Sequence, residues 1–286
     1  MEKKKKKNTV EQTEINRIID NMTLFDNDLM SLVFDKNVPA TELILRIILE
    51  RPVKVISVKG QVEKKNPNPD GRSITIDIEA IDVDGSHMDI EVQGNANGSH
   101  VKRARFHSSM LDMSLLKKRQ NFKQIKDSYV IFIYKNDKFK KGLPVYHIDR
   151  YVYETDKPFE DGSHIIYVNG KYNGDDDIGR LMKDFHCRSV SGMYFKELKD
   201  GVRHFKETEE GREDMSDAVE RYAKRYAKRR SEIVAQNTKI VSITENVKSL
   251  MSNMGWSVET AMDMLNISDS DRKLISAQLR NESIHV

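Results

Sequence analysis

Residues 71–93, GRSITIDIEAIDVDGSHMDIEVQ, carry the alternation of a β-hairpin. Ile74, Ile76, Ile78 and Ala80 alternate with Thr75, Asp77, Glu79 and Ile81; on the return, Met88, Ile90 and Val92 alternate with Asp89, Glu91 and Gln93. Alternation with a period of two marks strands with one buried face. Asp84-Gly85 is the turn signal between them. A two-residue Asp84-Gly85 loop would pair Asp77 with Val92 and set apolar against polar on both faces. A three-residue Val83-Asp84-Gly85 loop, with Gly85 left-handed, pairs Asp77 with Glu91 and Ile78 with Ile90. Only this register keeps one face apolar, because a one-residue slip turns every side chain over.

The second face then carries Asp77, Glu79, Asp89, Glu91 and Gln93. Opposed Cβ atoms on neighbouring strands sit about 5 Å apart, so facing carboxylates repel unless a cation lies between them. Mg²⁺ takes oxygen ligands, often one or two carboxylates completed by water and phosphate. Spacing alone does not choose between Asp77/Glu91 and Glu79/Asp89 as the metal pair. A solvated outer sheet face accounts for the same alternation.

Length and composition set bounds. A chain of 286 residues buries one large core, or one core with a small appended domain. Charged residues make up 33% and hydrophobic ones 38%, which suits a soluble globular protein. A net charge of +3 is too small to demand a nucleic-acid partner, so local basic clusters matter more. The lone Cys187 excludes an intramolecular disulfide and fits a reducing compartment; with only His186 beside it, it makes no zinc motif. The lysine run Lys3 to Lys7 has no apolar segment behind it, and Leu43 to Leu49 is too short to span a bilayer. A cytoplasmic protein with no membrane partner is expected.

Three segments are expected: a disordered basic lead-in over 1–20, a main domain over 21–212, and a helical region over 213–286. Asp28 to Phe34 and Thr41 to Leu49 read as helices, the second capped by Thr41. Val53 to Val58 reads as a strand before the hairpin, Lys102 to about Lys118 as a helix, and Ser128 to Tyr134 (SYVIFIY) as a buried central strand. Val145 to Tyr153 and Ile165 to Val168 read as further strands. Helix, three strands, helix, strand implies an α/β fold with a mixed sheet flanked by helices. Near the C-terminus, ERYAKRYAKRR (220–230) places Tyr222 and Tyr226 on one side of a basic helix. Such a helix either tracks a phosphate backbone or rests its tyrosines on the protein. Ser268 and Asp271 mark a later helix start, with Leu274, Ile275 and Leu279 as its inner stripe.

Three blocks, GRSITIDIEAIDVDGSHMDIEVQ, VKRARFHSSMLDMSLLKKRQNF and SYVIFIYKNDKFKKGLPVY, together resemble the PD-(D/E)XK nuclease family transposases, also called recombination-promoting nucleases. The similarity is read from about Leu24 to the C-terminus, including NVKSLMSNMGWSVETAMDMLNIS. It implies a restriction-endonuclease-like core and Mg²⁺-dependent cleavage of DNA, with Mn²⁺ as a substitute. It matches Asp77 to the motif aspartate and Glu91 to the motif acid, with Gln93 where many relatives outside this family carry lysine. A neutral amide orients water or phosphate by hydrogen bonds but brings no charge.

Under this resemblance Asp77, Glu91 and the Val92 carbonyl hold the ion, Glu42 completes a second metal site, and Gln93 positions the attacking water. Arg72, Arg103 and Arg105 grip phosphates, and His107 is a helix-face neighbour of the site, not a general base. The competing class is a catalytically weak or inactive nuclease fold that binds nucleic acid or a protein partner. RNA is a third possible substrate. A homodimer fits two cuts in a duplex.

Overall fold

The computed structural model describes residues 13–95, 98–116, 118–268, 271, 272, 274–276 and 279. The chain divides into two compact units, residues 1–219 and 220–286, with the boundary inside one long helix.

The first unit is built on a six-stranded mixed sheet. Its strands are β1 (Val55–Lys64), β2 (Ile74–Asp82), β3 (His87–Gln93), β4 (Ser128–Tyr134), β5 (Val145–Ile148) and β8 (Ser163–Asn169), in the order β1-β2-β3-β4-β8-β5. β1, β2 and β3 pair antiparallel, β3–β4 and β4–β8 parallel, and β5–β8 antiparallel. The strand expected over Val145 to Tyr153 is broken. Its end forms β6 (Tyr151–Val152), which pairs with β7 (Lys157–Pro158) in a separate ribbon.

The hairpin adopts the three-residue loop. Ile78 pairs with Ile90 and Ile81 with His87, and Gly85 has φ 85°. Asp82 fixes the turn: its Oδ1 accepts from Asp84 N at 3.0 Å and Ser86 N at 2.8 Å, while its side chain is fully buried.

Helices cover both faces. On one side lie α1 (13–21), α2 (Asn27–Phe34), α3 (Val38–Leu49), α5 (Asp177–His186) and α6 (Lys196–Glu207). Their apolar stripes pack on Ile78, Ala80, Ile90, Val92, Ile131 and Ile133. α4 (Val101–Asp112) covers the other side, where Ala104, Met110 and Leu111 meet Val130, Phe132 and Tyr167. The last two rings stack at 5.2 Å.

Several expectations shift. Within the lead-in expected over 1–20, residues 13–20 are helical, and Ile15 and Ile19 join the core. Asn37, not Thr41, caps α3: its Oδ1 accepts from Ala40 N at 3.1 Å. Thr41 is one turn inside and fully buried. α4 ends at Asp112, several residues short of Lys118. α5 and α6 precede the helical region expected from about Asp214. Lys3 to Lys7, and the side chains of Tyr222 and Tyr226, lie outside the described residues.

α7 (Glu209–Met254) ends at Gly255, whose φ is 67°. In the second unit the C-terminal part of α7 and α8 (Val258–Met264) gather Ile240, Val247, Ala261, Met262, Ile267 and Ile275 into a core of their own. Ser268 Oγ accepts from Asp271 N at 3.3 Å, as expected of a helix start. Ile275 is buried and Leu279 partly so, but Leu274 is 50% exposed and leaves the inner stripe. No helix among the described residues is long and apolar enough to cross a membrane.

The hairpin turn yields a test. Asp82→Ala leaves two N–H groups without their acceptor, which costs about 2–3 kcal/mol. Urea denaturation is expected to show that loss; a change below about 0.5 kcal/mol contradicts the role given to this carboxylate.

Candidate active site on the hairpin

β2 breaks the period-two rule at Asp77. Ile78 and Ala80 join the core beneath α2 and α3, whereas Ile74 and Ile76 pack on the α4 side with Phe132 and Tyr167. Across from Asp77, Gln61 of β1 has φ 51°, in the left-handed region that non-glycine residues seldom enter. The strand therefore changes face at Asp77. Beyond the Ile78–Ile90 pair, side chains replace the ladder: Val92 N donates to Asp77 Oδ2 at 3.1 Å, and Asp77 N donates to Glu91 Oε1 at 3.1 Å. Each carboxyl group binds the opposite strand's backbone and takes the place of a ladder bond.

The two acids converge on one amide. Gln93 Nε2 lies 3.1 Å from Glu91 Oε2 and 3.5 Å from Asp77 Oδ2. Gln61 Nε2 supports Asp77 Oδ1 at 3.2 Å and reaches Ser31 Oγ of α2 at 3.1 Å. Gln93 is seated against Gly98, where a Cβ would stand 1.8 Å from its Oε1.

α4 covers this face. Arg103 Nη2 donates to Glu91 Oε2 at 2.5 Å, and Arg103 Nε donates to His107 Nε2 at 3.2 Å. A guanidinium has no acceptor, so Nε2 of the neutral imidazole is unprotonated and the ring proton sits on Nδ1. That N–H points to Asp89 Oδ2 at 2.8 Å. Asp89 and Glu91 are fully buried and His107 is 2% exposed, while Asp89 Oδ1 is buried with no hydrogen-bond partner. The polar face is therefore an interior cluster, not a solvated surface.

Burial dominates its electrostatics. It pushes Asp77 up from the ordinary carboxylate range and Asp89 and Glu91 well above it; for the last two, the neighbouring carboxylates add to the rise. Burial also lowers His107, favouring the neutral ring. Like charges about 4 Å apart repel by about 4 kcal/mol at an effective dielectric near 20, and Arg103 alone does not cancel three carboxylates. Asp89, Glu91 and His107 offer ligand atoms within 4.8 Å of one another, so this cluster, like the Asp77–Glu91 pair, has the make-up of a cation site.

The remaining residues sort clearly. Glu79 forms an ion pair with Lys64 and so is already neutralised. Arg103 joins the cluster. Arg72 is exposed on the loop before β2, close enough for its charge to oppose protonation of His107. Arg105 is exposed, two positions from Arg103 and so turned away on the helix. Val92 gives its amide to Asp77 and buries its side chain in the core. Glu42 Oε1 accepts from Val55 N at 2.8 Å and pairs with Lys54 at 3.5 Å. It anchors the start of β1. His107, expected on a helix face near the site, lies beside Asp89 and Glu91 and is buried. The i, i+4 spacing of Arg103 and His107 was the available signal, whereas nothing in the sequence marked Gln61.

A six-stranded mixed sheet flanked by helices is consistent with the PD-(D/E)XK fold. Residues 37–172 match the family model of the PD-(D/E)XK nuclease family transposases, from α3 to just beyond β8. The match is narrower than the span expected from Leu24 to the C-terminus, and it contains every hairpin and α4 residue described above. It supports a nuclease- or transposase-associated function. No curated protein and no solved structure matches the chain.

The raised carboxylates predict a pH signature. Asp89 and Glu91 keep protons in the folded state that the unfolded chain has released above its ordinary values of 3.8 and 4.5. Their contribution to stability therefore falls as pH rises through the raised values. A cation held by these acids would take the place of those protons. The thermal midpoint of wild type relative to Glu91→Gln is expected to fall between about pH 5 and pH 8 without metal, and Mn²⁺ should raise the wild-type midpoint more at pH 8. Equal Mn²⁺ increments at both pH values contradict this reading.

Proposed function

We infer that the protein is a divalent-metal-dependent endonuclease that hydrolyses DNA phosphodiester bonds in a transposition or recombination setting. One observation carries this reading: Asp77 Oδ2 and Glu91 Oε2 share a single Gln93 amide nitrogen, within the segment that matches the family. Two carboxylates aimed at one donor mark the place where a full positive charge is most favoured. The donor set suits a hard cation, because it is oxygen-rich, poorly solvated and short of positive charge.

Asp77, Glu91 and the Val92 carbonyl are the groups that would hold Mg²⁺ or Mn²⁺. When bound, such an ion supplies the charge that acidifies a water and offsets charge growing on the phosphate. The protein's own groups do the rest. Gln93, freed from the acids, orients water or a phosphate oxygen through its amide. Arg103, with its side chain 36% exposed, carries its charge to a backbone phosphate once Glu91 is otherwise neutralised. Arg72 adds a second positive charge on the same approach.

A second reading, DNA or protein binding without cleavage, is favoured by the neutral residue at position 93 and by the close Arg103–Glu91 pair.

Supercoiled plasmid with Mg²⁺ or Mn²⁺ separates the two. Wild type is expected to nick it, and Asp77→Ala or Glu91→Ala to slow nicking about 10²- to 10³-fold, the scale of several kcal/mol of lost charge stabilisation. Equal rates in wild type and Asp77→Ala contradict the nuclease reading; DNA binding without cutting by wild type supports the second. A matched RNA substrate, cut as fast as DNA, would shift the substrate class.

A further inference from the structure

We propose that Asp89, Glu91 and His107 form a second divalent-ion site, which takes a first-row transition ion through an imidazole nitrogen and is gated by Arg103. This goes beyond the nuclease reading and does not require the chain to cut DNA, although Glu91 is common to both sites.

Geometry supplies the first argument. His107 Nδ1 lies 2.8 Å from Asp89 Oδ2 and 3.8 Å from Glu91 Oε1, and the three groups offer ligand atoms within 4.8 Å of one another. Glu91 divides its oxygens: Oε2 faces Gln93 and Arg103, while Oε1 is the one nearer His107. One carboxylate can thus serve two neighbouring ions, as in known two-metal sites.

The second argument is an unmet requirement. A hydrogen-bonded His–Asp pair would account for Asp89 Oδ2, but Oδ1 of the same fully buried carboxylate has no partner. Buried polar atoms without partners are rare and costly. An ion held between Asp89, Glu91 and His107 removes that deficit and the repulsion between the two acids together.

Donor chemistry identifies the ion. Mg²⁺ favours oxygen and keeps its waters, whereas imidazole suits Zn²⁺, Co²⁺ and related ions. The site should therefore discriminate against Mg²⁺, in contrast to the Asp77–Glu91 pair.

Arg103 is the gate. Its Nε–H donates to His107 Nε2 and so keeps the ring proton on Nδ1, the nitrogen an ion would need. For Nδ1 to coordinate, that proton moves to Nε2 with no net release from the ring. Arg103 then faces an N–H instead of a lone pair and must leave. Ion binding and the Arg103 contact exclude each other, so loading this site also frees the guanidinium from α4.

Co²⁺ tests the proposal on the full chain. Titration of the metal-free wild type is expected to give a hyperfine-shifted, solvent-exchangeable proton resonance from His107 Nε2–H. His107→Gln should abolish it, Asp77→Asn should retain it, and Asp89→Asn should weaken Co²⁺ at this site roughly 10- to 100-fold. Circular dichroism checks that these variants fold. Arg103→Ala, at a partly exposed position, should tighten Co²⁺ binding roughly tenfold by removing the competing cation and donor. The proposal is overturned if wild type binds Co²⁺ without a shifted imidazole proton, if the resonance survives His107→Gln, or if Arg103→Ala leaves the affinity unchanged. Plasmid nicking with no imidazole resonance would sink this site alone; the resonance without nicking would leave it standing and remove the nuclease reading.

Discussion

Two carboxylates take the place of backbone hydrogen bonds at the point where β2 changes face. Asp77 receives the Val92 amide and Glu91 receives the Asp77 amide, so neither acid can leave without unpinning two strands. The left-handed Gln61 permits the change of face, and its own side chain braces Asp77 from the far edge. Because β2 crosses over here, Ile74 and Ile76 join α4's core, and α4 is drawn across the acidic face it would otherwise leave in water. The same crossing that shapes the hairpin thus creates a half-closed polar chamber.

Charge is what this chamber lacks. Asp77, Asp89 and Glu91 share one guanidinium, and burial makes the ionised form of each unfavourable. Glu79 shows the contrast on the same hairpin: Lys64 pairs with it directly, and the acid needs nothing further. Of the other three, Glu91 alone has such a pair, with Arg103, and Asp77 and Asp89 have no Lys or Arg ion pair among the described residues. A protein that places three acids where two protons or a divalent ion are needed holds a binding potential that the rest of its core does not require. The neutral Gln93 amide occupies the shared position with half-measures: it donates to both carboxylates but carries no net charge.

Much of this was legible in the chain. The alternation of Ile and acid residues, together with the Asp84-Gly85 turn, was enough to fix the register, because only one loop length kept the apolar side chains together. SYVIFIY announced a central strand by its unbroken apolarity. The face change was not legible, since Ile74 through Ala80 alternate perfectly and the break is imposed by tertiary packing on α4. The partners of Glu42 and His107 were not legible either. Glu42, which the resemblance places at a second metal site, serves a backbone amide of β1. His107, expected on a helix face near the site, is buried there because its partners come from β3, eighteen and sixteen positions earlier in the chain. Pairings of that kind follow from topology, which local pattern does not encode.

Anomalous diffraction from crystals grown with Mn²⁺ reaches the central claim most directly. A peak is expected between Asp77 Oδ2 and Glu91 Oε2, with the Gln93 amide displaced from its present position. Crystals that hold Mn²⁺ elsewhere, while Gln93 still bridges both carboxylates, would contradict it.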